Sequence, residues 1–231
     1  MKIARNIIYW VGVCCVPVLL FTSTICWEVH ELRLYEYGFD KYEISQATGI
    51  DRLQLKSVAQ HLIDYFNIKV DTAQIVVGKR GGESNLFNER ELVHLKDVRG
   101  LIQLDYRVQR GALLLLIICV LVLFFGFRVG WRIVIKGLLW GSLVTVGLMA
   151  GLALWALFGF ERFFLLFHVV SFPNEYWMLD PSKDYLIRLF PEGFFYDVAM
   201  FGFGAIILEA LLLGGIVFVI LRVLGWEKYG D

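Results

Sequence analysis

Residues 111–127, GALLLLIICVLVLFFGF, and residues 138–159, LLWGSLVTVGLMAGLALWALFG, carry no charge between them. The ten residues that separate them, RVGWRIVIKG, hold Arg128, Arg132 and Lys136 without one acid. A helix needs roughly 17–25 apolar residues to cross a hydrocarbon core of ~30 Å, so each run reads as a membrane span. The first is short for a span, and its helix is expected to continue toward Trp131. Short basic connectors stay on the cytoplasmic side, which places 128–137 inside the cell.

Working outward, residues 6–27 and 201–221 are two more runs of this kind. The chain is 58% hydrophobic and 19% charged, far from the balance of a soluble domain. Lys2 and Arg5 before the first run, with Arg222 and Lys228 after the last, put both termini in the cytoplasm. The first run has no Ala-x-Ala-like exit and is read as an uncleaved anchor. All four cysteines, Cys14, Cys15, Cys26 and Cys119, lie in apolar runs, with no disulfide framework or zinc spacing. The expected fold is mainly α, a polytopic membrane protein with a four-transmembrane-helix bundle and a small extracytoplasmic cap domain. Its segments are 1–27 (first span), 28–110 (extracytoplasmic domain), 111–159 (second and third spans with their connector), 160–200 (second extracytoplasmic or interfacial segment) and 201–231 (fourth span and tail).

The outer segments hold the chemistry. In 28–110, Asp51 with Gln54 opens a helix near 52–66, and 68–77 has strand composition. In "FNERELVHLKDVRG" (87–100), Asn88 is an N-cap, Glu89 and Glu91 sit in the first turn, and Gly100 marks a stop. A separate helix 89–99 would stack Glu91, His94 and Asp97 on one face, carboxylates flanking an imidazole and favouring its charged form. A solvated helix with an incidental histidine is the plainer alternative. In 160–200, Phe160, Phe163, Phe164 and Phe167 form an interfacial stripe with His168 at its margin. Asn174 is a turn former or an oxyanion donor, Trp177 an interface ring, and Asp180 with Pro181 the N-cap of a helix ending before Pro191. Asp180 and Asp184 make a weak cation pair. Gly147 and Gly151 form a GxxxG packing pair, and Glu209 is the one charge inside a span, its role open. Cys26 and Ser171 are candidate nucleophiles without triad context.

The stretches "YGFDKYEISQATGID" (37–51), "LIDYFN" (62–67), "FNERELVHLKDV" (87–98), "FHVVSFPNEYW" (167–177) and "LDPSKDYLIRLFP" (179–191) resemble, in this order, the lipoprotein intramolecular transacylase family of Gram-positive bacteria. The resemblance covers nearly the whole chain. It implies an enzyme that moves the sn-2 acyl chain of a diacylglyceryl-cysteine lipoprotein onto the α-amino group of the same cysteine, giving the lyso form. It implies no cofactor, and as partners the lipoprotein N-terminus and membrane lipids rather than nucleic acid. His94 and His168 would be the catalytic pair, with Glu91, Asp97, Asn174, Trp177 and Asp180 orienting groups or substrate. The site would face the outer leaflet of a bacterial plasma membrane. An intramolecular shift needs no enzyme nucleophile, because proximity of amine and ester supplies much of the barrier reduction. The competing readings are a covalent acyltransferase using Cys26 or Ser171, and a non-enzymatic sensor or assembly protein.

Overall fold

The computed structural model describes residues 1–79 and 82–226; Lys228 and the tail 227–231 lie outside the described residues. Among the described residues, eight α-helices and two paired strands follow in the order α1 (Lys2–His30), α2 (Leu32–Lys41), α3 (Ile44–Thr48), α4 (Arg52–Phe66), β1 (Val76–Lys79), β2 (Gly82–Asn85), α5 (Glu89–Leu121), α6 (Trp131–Ser171), α7 (Tyr185–Leu189) and α8 (Glu192–Trp226). Among the described residues, four helical stretches are long and apolar enough to cross a membrane: Lys2–His30, Glu89–Gly126, Trp131–Ser171 and Glu192–Val223. The protein is a mainly α, four-span membrane protein. Its chain divides into two compact units, one of Met1–Ile25, Tyr106–Leu154 and Phe201–Asp231, the other of Cys26–Asp105 and Trp155–Met200.

The first unit is held by close helix approach, since lipid tails are as apolar as leucine and give helices little hydrophobic reason to associate. Pro17 lies inside α1 and cannot donate to the Val13 carbonyl one turn back. Gly141 of α6 fills that place: a Cβ there would collide with Val16 and press on the freed Val13 oxygen. Gly137, one turn earlier, lies against Tyr9. The packing pair is therefore Gly137 and Gly141. Gly147 and Gly151, expected in this role, face open space, because the helix turns that side away from its neighbours. Inside the span, Thr24 offers its hydroxyl to Leu20 at 3.0 Å and to Glu209 at 3.4 Å.

In the second unit, α4 begins where Asp51 accepts from the amides of Leu53 (2.9 Å) and Gln54 (3.1 Å). It buries Leu55, Val58, Ala59, Leu62 and Ile63 in the core. Of the 68–77 stretch only Val76 and Val77 enter a strand: β1 is paired antiparallel with β2 from Val76 opposite Asn85 to Lys79 opposite Gly82. Gln74 then straps the returning chain, donating to the Phe87 carbonyl at 2.7 Å and accepting from its amide at 3.1 Å. That strap delivers the chain to the start of α5.

Three local expectations are corrected. The helix that starts at Glu89 does not stop at Gly100 but runs to Leu121. A mid-helix glycine costs only about 1 kcal/mol, too little to end a helix whose Leu95 and Ile102 are buried on either side of it. The second span does not reach Trp131 as one helix. It closes in a π turn, Val122–Gly126, and the chain reverses with Arg128 in the left-handed region (φ 51°). Finally, Asp180 does not cap a helix. Its carboxylate accepts from the Ser182 amide (2.9 Å) and hydroxyl (2.7 Å), and the helix that follows is only Tyr185–Leu189, preceded by Asp184.

Candidate active site

Glu91, His94 and Asp97 recur every three residues along one face of α5, and Asn88, one step earlier, is the residue before the helix. The helix start is a reciprocal capping box. The Asn88 side chain accepts from the Glu91 amide at 3.1 Å, and Glu91 Oε2 accepts from the Asn88 amide at 2.8 Å. The same face receives the 172–190 segment at four points. Asn88 donates to Asp184 at 2.7 Å, Arg90 to the Glu175 carbonyl at 2.6 Å, the Leu186 amide to Glu91 Oε1 at 2.6 Å, and Asn174 to Asp97 at 2.8 Å. Asp184 also accepts from the Asp180 amide at 2.7 Å, so both its oxygens are engaged.

This stapling brings His94 and His168 together, their ring centroids 6.2 Å apart. His168 stands on the last turns of α6, beyond Gly159, where the helical dihedrals break (φ −163°, ψ 50°). His94 is 7% exposed and His168 8%. Phe172 packs against both, with centroids at 5.0 and 5.6 Å. Phe164, Phe167 and Trp177 complete the wall of His168 at 4.3, 5.3 and 5.0 Å. Trp177 is thus in ring contact with an imidazole, whereas Asp180 is exposed and reaches the site only through its amide and Asp184.

Both histidines lie outside the apolar runs at 111–127 and 138–159. Burial pushes His94 down to about 4, the neighbouring His168 adds to that, and Asp97 opposes it. His168 is lowered by burial, with its bond to the Phe164 carbonyl opposing. The expectation that flanking carboxylates favour a charged His94 is therefore reversed: desolvation outweighs one carboxylate. Glu91 makes none of the hydrogen bonds of His94. It is 1% exposed, burial raises its pKa, and its oxygens serve Asn88 and Leu186.

The tautomer of His168 follows from its partner. A carbonyl oxygen only accepts, so the 2.8 Å contact of Nδ1 with Phe164 O puts the proton on Nδ1 and leaves a lone pair on Nε2. Nδ1 of His94 is buried without a partner among the described residues. An unpaired buried polar atom costs about 1–3 kcal/mol, a cost found where a ligand is to be met. Ser171 makes no hydrogen bond with His168, and His30 turns its Nδ1 to the Cys26 carbonyl, not to a nucleophile (2.6 Å). No metal-holding group of His, Cys, Asp or Glu occurs among the described residues. Arg90 and Phe172 are site residues that sequence reasoning missed, and the sequence reads Asn88 and Asp184 only as a cap and a weak cation ligand. The three-residue period leading into α5 signals a face, which includes neither Phe172 nor Asp184, because only tertiary contact brings those two to it.

The profile of the family described as lipoprotein intramolecular transacylase Lit matches residues 10–195. The chain belongs to that family. It is a membrane-integral enzyme of the transacylase class. The in meso structure of the membrane-integral Lit from Bacillus cereus is similar over 100% of both chains, at 23% identity and a TM-score of 0.76. Two structures of the same Bacillus cereus protein, with one histidine replaced by arginine or by alanine, align with TM-scores of 0.72 and 0.73, again at 23% identity. They cover 99% and 100% of this chain and 95% and 97% of theirs. No curated protein matches the chain.

Proposed function

We propose that this Lit-family enzyme transfers the sn-2 acyl chain of a diacylglyceryl-cysteine lipoprotein to the α-amino group of the same cysteine, with His94 and His168 as the acid–base pair. The observation that carries the reading is the meeting of two buried imidazoles from distant segments. One has its basic nitrogen fixed by a backbone carbonyl and the other has an unpaired nitrogen.

The chemistry sets what each must do. The free amine attacks the ester carbonyl, a tetrahedral intermediate forms, and the glyceryl oxygen leaves as an alcohol. The nitrogen loses a proton and the departing oxygen gains one, so the pair moves one proton across the intermediate. His168 Nε2 accepts it and the proton passes through the neighbouring His94 to the departing oxygen, so both rings end neutral, while an N–H of His94 donates a hydrogen bond to the oxyanion before collapse. A free α-amine has a pKa of about 7.7–8.0, so the substrate also releases a proton to solvent before it reacts near neutral pH. The sidewalls of Phe164, Phe167, Phe172 and Trp177 suit an acyl ester. Asp97 and Asn174, with Glu91 and Asp184, hold the second segment on α5. The site faces the outer leaflet and both termini lie inside, a topology supported by the basic 128–137 connector.

The test is mass spectrometry of a synthetic diacylglyceryl lipopeptide incubated with the purified protein. Unchanged total mass with one acyl group relocated from glycerol to nitrogen is expected. Lyso product formed at the normal rate by a folded His168→Ala protein would remove the histidine mechanism. A gain of one acyl mass from added phospholipid would remove the intramolecular one.

A further inference from the structure

The first unit carries a feature that acyl transfer does not use. Between α1 and α5 lies a groove of about 800 Å³, lined on one side by Ile7, Trp10, Cys14 and Val18 and floored on the other by Gly111 and Ala112. Ser23 and Gln109 close the two helices beyond its far end with a 3.0 Å hydrogen bond, and Gly12 packs on Cys119 alongside. The small residues leave the gap open: a Cβ on Gly111 would meet nothing within 4 Å. From Ile3 to Val18 the groove runs roughly 22 Å at 1.5 Å per residue, longer than half of a ~30 Å hydrocarbon core.

Its near end carries the polar side chain of Asn6. Asn6 and Trp10 also line a second, smaller cavity of about 250 Å³ whose rim carries Arg5, with Tyr9, Leu123, Val129 and Ile133 completing it. Arg128 and Arg132 flank Val129 and Ile133 in the chain, and Lys2 precedes Arg5. No Asp or Glu occurs between residues 1 and 27 or between 111 and 160. An apolar slot with a few polar groups at one mouth is how binding sites are built. Basic mouths between membrane helices suit anionic headgroups, and a guanidinium can meet two phosphate oxygens at once.

We propose that this groove holds one anionic glycerophospholipid of the bilayer. Arg5 and Asn6 take its phosphate, and one tail lies along Trp10, Cys14 and Gly111 toward Val18. The site lies wholly within the first unit and does not depend on the catalytic reading.

The experiment is native mass spectrometry of the purified protein in detergent, titrated separately with dioleoyl phosphatidylglycerol and dioleoyl phosphatidylcholine. One phosphatidylglycerol per protein is expected to survive activation that strips phosphatidylcholine, with at least fivefold preference. Arg5→Gln, which removes the charge, and Gly111→Leu, which fills the slot and leaves the charge, are each expected to abolish that retention. Arg52→Gln, on α4 in the second unit and in neither lining, is expected to keep it. Equal retention of the two lipids overturns the proposal, as does retention of phosphatidylglycerol by either Arg5→Gln or Gly111→Leu. Should Arg5→Gln fail to purify, Gly111→Leu and the wild-type headgroup comparison decide the matter between them.

Discussion

The two units are stabilised by different physics. In the membrane unit the decisive residues are those with nothing to offer but their smallness: Gly137 and Gly141 let α6 approach α1, and Gly12 lets α1 approach α5. The polar bonds there are mostly hydroxyls returning to their own helix, such as Thr145 to the Gly141 carbonyl at 2.8 Å. In the other unit the decisive residues are buried carboxylates. Glu91 and Asp184 are 1% and 5% exposed, and each accepts two hydrogen bonds. Small residues there serve a different end, as where Gly38 makes room for the Phe194 ring. The lesson is that lipid-facing helices are joined by shape, whereas a wet, irregular segment is fixed by filling every polar valence on a helix face.

The largest expected effect that tests this contrast is catalytic. His94→Ala and His168→Ala should each lower lipopeptide transacylation by about 10²–10⁴-fold, the worth of a positioned acid or base. Thermal unfolding should stay cooperative. The mass-spectrometric assay above, with an unfolding trace for each variant, reads both.

Next comes pH. His94 binds its proton less tightly when folded (about 4) than an ordinary histidine does (6.5). The unfolded chain therefore takes up protons that the folded one refuses. Its contribution is fully present above pH 6.5 and is lost as pH falls from 6.5 toward 4, by up to about 3 kcal/mol. Thermal unfolding in detergent at pH 7.5 and pH 5 should show this loss, and His94→Phe should reduce it. An equal acid response in that variant would place the effect elsewhere.

Smaller again is the carboxylate staple. Glu91→Ala leaves the amides of Asn88 and Leu186 without their acceptor and should cost about 2–3 kcal/mol. Glu91→Gln keeps one acceptor oxygen and should lie between that variant and the wild type. Proteolysis of the 172–190 segment, expected to quicken in Glu91→Ala, separates a local release from global unfolding.

The smallest effects compare two glycines. Gly141→Ala drives a methyl onto Val16 and should destabilise by about 1–3 kcal/mol, while Gly147→Ala should stay within about 0.5 kcal/mol of wild type. A larger effect at Gly147 than at Gly141 would reverse the assignment of the packing pair.

Much of the fold was legible from local rules. The four spans follow from length and hydropathy, because the bilayer imposes one dimension on all of them. The start of α4 at Arg52 follows from Asp51, and the start of α5 at Glu89 from Asn88, because a cap acts on amides two or three residues away. The shared face of Glu91, His94 and Asp97 follows from the helical period alone. Other boundaries were less legible. Gly100 and Asp180 carry the right residue types, but a mid-helix glycine is overridden by burial on both sides, and an aspartate before proline can close a turn as well as open a helix.

What only the tertiary structure decided is who meets whom. Glu91 bonds Leu186, 95 residues away, and Asn88 bonds Asp184, 96 residues away, where the periodicity of α5 offered only a face. The two imidazoles come within one site because the second segment is stapled there. Their neutrality is equally a tertiary matter: a proton's affinity depends on how much water the fold removes, and sequence neighbours do not carry that quantity. The same holds for the glycines, which are identical in sequence, and only the neighbouring helix distinguishes the one that packs from the one that faces open space.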